Sequence, residues 1–171
     1  MYRFMKIVMG GFGPSILAVS ITTTAIAPPP TPRPQQARPQ EQSKEVVSLK
    51  KRQGIFVVPA LINGAIILDV TVDSGAADVS IPVDVVLTLM RTGTITSSDF
   101  LGSQTYVLAD GTKVPSETFR IRSIRVGERV VADVVGSVAP VQASLLLGQS
   151  FLDRFRSWSI DNASHSLVLE W

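Results

Sequence analysis

Two apolar runs joined by Asn63-Gly64 constrain this chain more than any other feature. Ile55 to Ile62 and Ala65 to Val72 are dense in Ile, Val and Leu. Asn-Gly supplies the two positive-φ positions of a tight hairpin turn, so the pair predicts an antiparallel β-hairpin. The second run leads straight into Val72-Asp73-Ser74-Gly75-Ala76. A carboxylate is thereby placed where a strand ends in a tight turn.

The chain beyond repeats this alternation of short runs and turns. Pro82 to Gly93 predicts a short helix, with Pro near its start and Gly past its end. Gln104 to Ala109 and Thr112 to Val114 flank Asp110-Gly111, read as a second two-residue hairpin turn with a small polar tip. Phe119 to Val126 alternates as a half-buried strand does, and Gly127-Glu128 leads into Arg129 to Val135 as its antiparallel partner, with the arginines on the wet face. Ser144 to Gly148 reads as a buried apolar strand and Gln149 to Phe155 as a short helical turn. A last hairpin joins Trp158 to Asp161 and Leu167 to Leu169 through Asn162-Ala163.

Charge and composition divide the chain. Residues 1–53 hold eight Lys and Arg against Glu41 and Glu45, a net +6, and the remainder holds eight against twelve, a net −4. The basic pI of 9.2 therefore belongs to the N-terminal third, and a globular part with negative net charge is a poor match to a phosphate backbone. No nucleic-acid partner is expected. With no cysteine and His165 as the sole histidine, disulfides, thiolate nucleophiles and the usual zinc ligand sets are excluded, and neither metal nor cofactor is expected. His165 lies in Asn162-Ala163-Ser164-His165-Ser166, a surface turn rather than the base of a Ser-His-Asp triad.

Arg3 and Lys6 precede an uncharged stretch from Ile7 to Ala27, which ends in the small-x-small sequence Ala25-Ile26-Ala27. Residues 1–27 are read as a signal peptide or, left uncut, as an N-terminal membrane anchor. Pro28 directly after Ala27 fits poorly in an extended protease groove, which keeps both readings open. Either one places the domain in the periplasm or outside the cell. Residues 28–53, with six prolines between Pro28 and Pro39, are read as an extended linker closed by the solvated charge run Lys50-Lys51-Arg52.

The order of these motifs resembles bacterial retropepsin-like aspartic proteases. The resemblance rests on Val72-Asp73-Ser74-Gly75-Ala76, the helix ending in Gly93, the hairpin tipped by Ala109-Asp110-Gly111, Leu146-Leu147-Gly148-Gln149-Ser150-Phe151-Leu152 and the last Ile160-Asp161-Asn162 hairpin. It covers roughly residues 54–171. It implies an all-β fold, a small closed retropepsin-like β-barrel with one or two short helices, acting as a homodimer. It further implies that Asp73 is catalytic, that Ser74, Gly75 and Ala76 support its loop, that Ala109, Asp110 and Gly111 tip a flap, and that Leu147 and Gly148 cross beneath the active-site loop. Ser74 replaces the commoner Thr but keeps the hydroxyl.

Peptide hydrolysis by this route needs two carboxylates about 3 Å apart that share one proton, one activating water and the other donating to the carbonyl oxygen. The chain has one Asp-Ser-Gly. Asp78 follows in the same loop and Asp110 tips the hairpin, so the second carboxylate is expected from Asp73 of a second copy. The expected activity is that of an aspartic endopeptidase on polypeptides. The alternative is a catalytically silent retropepsin-like domain, tethered outside the cytoplasmic membrane, that binds peptides or serves as a scaffold. Leu167 to Trp171 reads as an exposed apolar edge, a candidate dimer contact.

Overall fold

The computed structural model describes residues 43–171. The leader and the proline-rich part of the linker lie outside the described residues. Strands and helices run in the order β1 (Lys44–Ser48), β2 (Lys50–Arg52), β3 (Ile55–Ile62), β4 (Ile66–Val72), β5 (Val79–Pro82), α1 (Val83–Arg91), β6 (Phe100–Val107), β7 (Lys113–Val126), β8 (Arg129–Ala139), β9 (Leu146–Leu147), α2 (Gln149–Leu152), β10 (Ser157–Asp161) and β11 (Ser166–Glu170), with a single 3-10 turn at Ser97–Asp99.

Hydrogen bonding links β3-β4-β9-β5-β8-β7 in that order, and Ala60, Leu61 and Ile62 of β3 pair with Val126, Arg125 and Ile124 of β7 to close the ring. A closed ring has no edge along these six strands. Its inside is filled by Val58, Ala60, Ile62, Ile81, Phe119, Ile121, Ile124, Val134 and Leu147, each fully buried. Val86 and Leu89 of α1 and Phe151 and Leu152 of α2 extend this core.

The first hairpin forms as expected, but its loop is one residue longer: Ile62 pairs with Ile66, leaving Asn63, Gly64 and Ala65 between the strands. Asn63 (φ 51) and Gly64 (φ 67) both take the left-handed conformation. Asn63 also pins the turn to the body, donating from Nδ2 to the Thr94 carbonyl (3.1 Å) and accepting from the Ser123 N–H (3.2 Å). Asn63→Ala is expected to cost about 2 kcal/mol, from two lost bonds and a left-handed backbone that Ala tolerates poorly. A urea melt checks this; a loss below about 0.5 kcal/mol would show that the turn needs no pin.

Helix α1 ends in a glycine-terminated cap. Gly93 (φ 69) donates to the Met90 carbonyl (3.0 Å) and Thr94 donates to the Leu89 carbonyl (3.0 Å), which satisfies two carbonyls at the helix end. Lys113–Val126 is one strand of fourteen residues where the sequence reading has two separate runs. Arg120 and Arg122 do lie outward, half exposed, but they also hold a carboxylate that the sequence reading missed: Asp99, 1% exposed, accepts from Arg122 (2.7 Å) and Arg120 (3.2 Å). The Arg122 guanidinium first, then the Thr96 backbone N–H, hold the Asp99 carboxyl well below the usual range.

A carboxyl lowered by folding stabilises the native state fully above its unfolded value of about 3.9, and that contribution is lost as pH falls toward the folded value. Asp99→Asn is therefore expected to lower the urea midpoint at pH 7 and to flatten the loss of stability below about pH 4. Parallel melts at neutral and acidic pH check it. An unchanged acid slope would assign that slope to other groups.

Two further sequence expectations are corrected. Lys44–Ser48 and Lys50–Arg52, which composition places in the linker, are strands, and Val47 and Leu49 sit in the core. Val47 and Leu49, two residues apart in a polar stretch, turn to one side, and tertiary pairing makes an edge strand of Lys44–Ser48. From Ser43 onward the chain holds twelve basic and thirteen acidic side chains, so the folded part is nearly neutral. The C-terminal segment is also not an exposed edge: β11 lies between β1 and β10 in a three-stranded sheet, with Leu167 and Leu169 fully buried. Trp171 packs its ring under the Arg129 guanidinium at 4.3 Å.

Candidate active site

The loop from Asp73 to Asp78 connects β4 to β5, and these strands are not neighbours. Leu146 and Leu147 of β9 lie between them, with Thr71 and Val72 of β4 paired to Leu146 and Leu147 in parallel and Ser80 of β5 facing Leu146. The loop therefore arches over a strand that comes from a distant part of the chain. Its base is tied down by backbone bonds: the Asp73 N–H donates to the Leu147 carbonyl (3.2 Å), and the Gln149 and Ser150 N–H groups donate to the Ala76 and Ala77 carbonyls (2.9 Å each).

Gly148 is where the two segments meet. A Cβ there would collide with the Asp78 carbonyl oxygen and lie 2.7 Å from the Ala76 carbonyl oxygen. Both are main-chain atoms that cannot swing aside, so close approach, not an unusual backbone angle, explains this glycine. Leu147 and Gly148 lie against the Asp73 to Asp78 loop, Leu147 through its carbonyl and Gly148 through close main-chain approach.

Asp73 is half-buried, and its Oδ1 accepts from the Gly75 N–H at 2.8 Å. A Cβ on Gly75 would lie 3.2 Å from the same oxygen. Glycine here leaves room for the carboxylate. Ser74 is exposed, and its carbonyl accepts from Gln149 Nε2 at 2.9 Å. Ser150 adds a second tie, accepting from the Val79 N–H (3.0 Å) and donating to the Val135 carbonyl (2.7 Å). Neither role was read from the sequence; both residues follow the Leu-Leu-Gly stretch, and only the fold brings them under the loop.

The other acidic candidates are engaged elsewhere. Asp78 Oδ2 accepts from the Tyr106 hydroxyl at 2.6 Å. Burial first, then that carboxylate, hold the Tyr106 phenol well above its ordinary range. Asp110 Oδ1 accepts from the Thr112 N–H at 2.9 Å, and Thr112 lowers its carboxyl. The hairpin tip is a three-residue loop rather than a two-residue one: the Leu108 N–H donates to the Thr112 carbonyl (2.8 Å), and Ala109, Asp110 and Gly111 (φ 84) lie between, all exposed. His165 is exposed on its turn, its ring 5.6 Å from that of Phe56. Among the described residues no group of three or more His, Cys, Asp or Glu is arranged to hold a metal.

A groove of about 600 Å³ runs beside the strand that carries Asp73. Ile55, Val57, Thr71 and Leu145 line it, together with Arg52 and Asp69, which are paired at 2.6 Å. Among the described residues no helix is long and apolar enough to cross a membrane.

Comparison with known proteins agrees with this architecture. No curated protein matches the chain. A solved retropepsin-like aspartic protease from Rickettsia conorii is similar over 80% of this chain and 97% of its own, with 22% identity and a TM-score of 0.55. At that identity the likeness concerns the fold, and the fold is retropepsin-like. The family described as "gag-polyprotein putative aspartyl protease" matches residues 58–154, over half of the chain, from within β3 to just past α2. By that match the chain belongs to the gag-type aspartyl protease family.

Proposed function

We propose that this protein is an aspartic endopeptidase whose active site is completed by a second copy of the chain. One observation carries the reading: Asp73 stands on a loop tied by backbone bonds to β9, and the two acidic candidates of its own chain, Asp78 and Asp110, are bonded to Tyr106 and Thr112 instead. Two Asp73 side chains brought together across a two-fold axis would meet the need. One carboxylate takes a proton from water, which attacks the scissile carbonyl carbon. The other gives its proton to the carbonyl oxygen, and the tetrahedral species then breaks its C–N bond as the amide nitrogen is protonated.

Ser74 and Gly75 position the carboxylate in this scheme, and Ala76 leaves room for an extended substrate. The hairpins tipped by Ala109-Asp110-Gly111 cover the bound polypeptide. The groove at Ile55, Val57 and Leu145 takes an apolar side chain. We further propose that residues 1–27 export the domain or anchor it outside the cytoplasmic membrane. A reporter active only outside the cytoplasm, fused after residue 53, should be active; an inactive reporter would reject export.

The test of the main reading is cleavage of an unfolded protein by the full chain between about pH 4 and 7, followed by mass spectrometry alongside light scattering. Specific activity should fall on dilution in step with loss of the dimer. Cleavage that persists in a monomer would sink the shared site, and a stable dimer that binds peptide without cutting it would favour a silent domain.

A further inference from the structure

The hairpin of β6 and β7 leaves the barrel as an arm. β7 pairs with β8 only from Thr118 onward, and from Lys113 to Glu117 its partner is β6 alone. A two-stranded ribbon by itself is at best marginally stable in water. From Ser103 to Glu117 every residue is exposed except Tyr106, Val114 and Ser116, which are half-buried. Ser116 Oγ donates to the Val138 carbonyl near the base of the arm. Farther out, Tyr106 faces Val114, one pair before the last pair of the ladder, and its hydroxyl reaches Asp78. Among the described residues this is the side-chain hydrogen bond that joins the outer arm to the loop of Asp73.

We propose that Tyr106 and Asp78 form a latch that holds the arm down on the active-site loop, and that its release opens the cleft to an extended polypeptide. A phenol donating to a carboxylate is stronger than a neutral pair. A single bond of this kind is enough to bias a ribbon that has few other contacts, and it breaks readily enough for the arm to lift on the timescale of substrate entry. Tyr106 is a positioning residue here. It acts through the arm and touches no reacting atom. The functional sense of the latch rests on the peptidase reading; its existence does not.

Amide hydrogen exchange of the full chain tests it without any turnover. Tyr106→Phe keeps the ring and removes the hydroxyl, while Asp78→Ala removes the carboxylate that accepts from it. Each should speed exchange between Ser103 and Thr112 by roughly tenfold, leaving β3 and β4 unchanged. The double variant should exchange no faster than the singles, because both remove one bond. Unchanged exchange in the arm would overturn the latch, as would an equal rise in β3 and β4 or additive effects in the double variant. If the chain cleaves polypeptides, Tyr106→Phe should lower kcat/KM chiefly through a higher KM. A chain that never cleaves would refute the peptidase reading and leave the exchange result to decide the latch.

Discussion

Asp73→Asn is expected to abolish the proposed peptide hydrolysis while leaving the fold and the proposed dimer intact. The amide has nearly the shape of the carboxylate, and its oxygen can still accept from the Gly75 N–H that holds Asp73 at 2.8 Å. What it loses is the ability to take or share a proton. General acid and base catalysis by positioned groups contributes roughly 10² to 10⁴ in rate, and both roles pass through this one position in a symmetric site. A fall of about 10³-fold or more is the expected outcome. Mixing supplies a sharper check. Excess Asp73→Asn chain added to wild type should silence it, because each mixed dimer holds only one carboxylate. Undiminished wild-type activity after subunit exchange would mean that each chain works alone.

Gly148→Ala is the second large effect, and it should strike stability and activity together. The new methyl would press on the Ala76 and Asp78 carbonyl oxygens, while the Gln149 and Ser150 N–H groups on the next residues are bonded to that same loop. Relief requires β9 and the loop to move apart. Overpacking of this kind costs about 3 kcal/mol at the upper end of its usual range, or a fall in Tm on the order of 10 °C for a domain of this size. Calorimetry reads the first effect and peptide cleavage the second. A variant with wild-type Tm would show that the loop can lift without penalty, and then its rigidity could not be what holds Asp73.

Much of this fold was legible because its signals are local. Asn63-Gly64 names a turn through backbone sterics alone, and Pro82 and Gly93 bracket α1 through the missing N–H of one and the left-handed freedom of the other. Asp73 could be singled out because strand, turn and glycine lie within a few residues. The failures share a cause. Lys44 to Arg52 looks like linker because its charges dominate composition, yet pairing with β11 and β3 brings Val47 and Leu49 into the core, and no local rule anticipates a partner 120 residues away in sequence. The C-terminal strand looks exposed for the same reason: its apolar face is visible in the sequence, its neighbours are not.

The sequence by itself determined the alternation of strands and turns, the position of a lone candidate carboxylate, and the absence of cysteine and of a second histidine with the chemistries that need them. Tertiary structure alone decided what supports that carboxylate. Gly148, Gln149 and Ser150 lie over seventy residues from Asp73, and they reach it because the barrel threads β9 between two strands that sequence order would have made neighbours. It also decided that Asp78 is bonded to Tyr106, for hydrogen bonds between distant segments depend on sheet register, and register is set by the packing of the whole core.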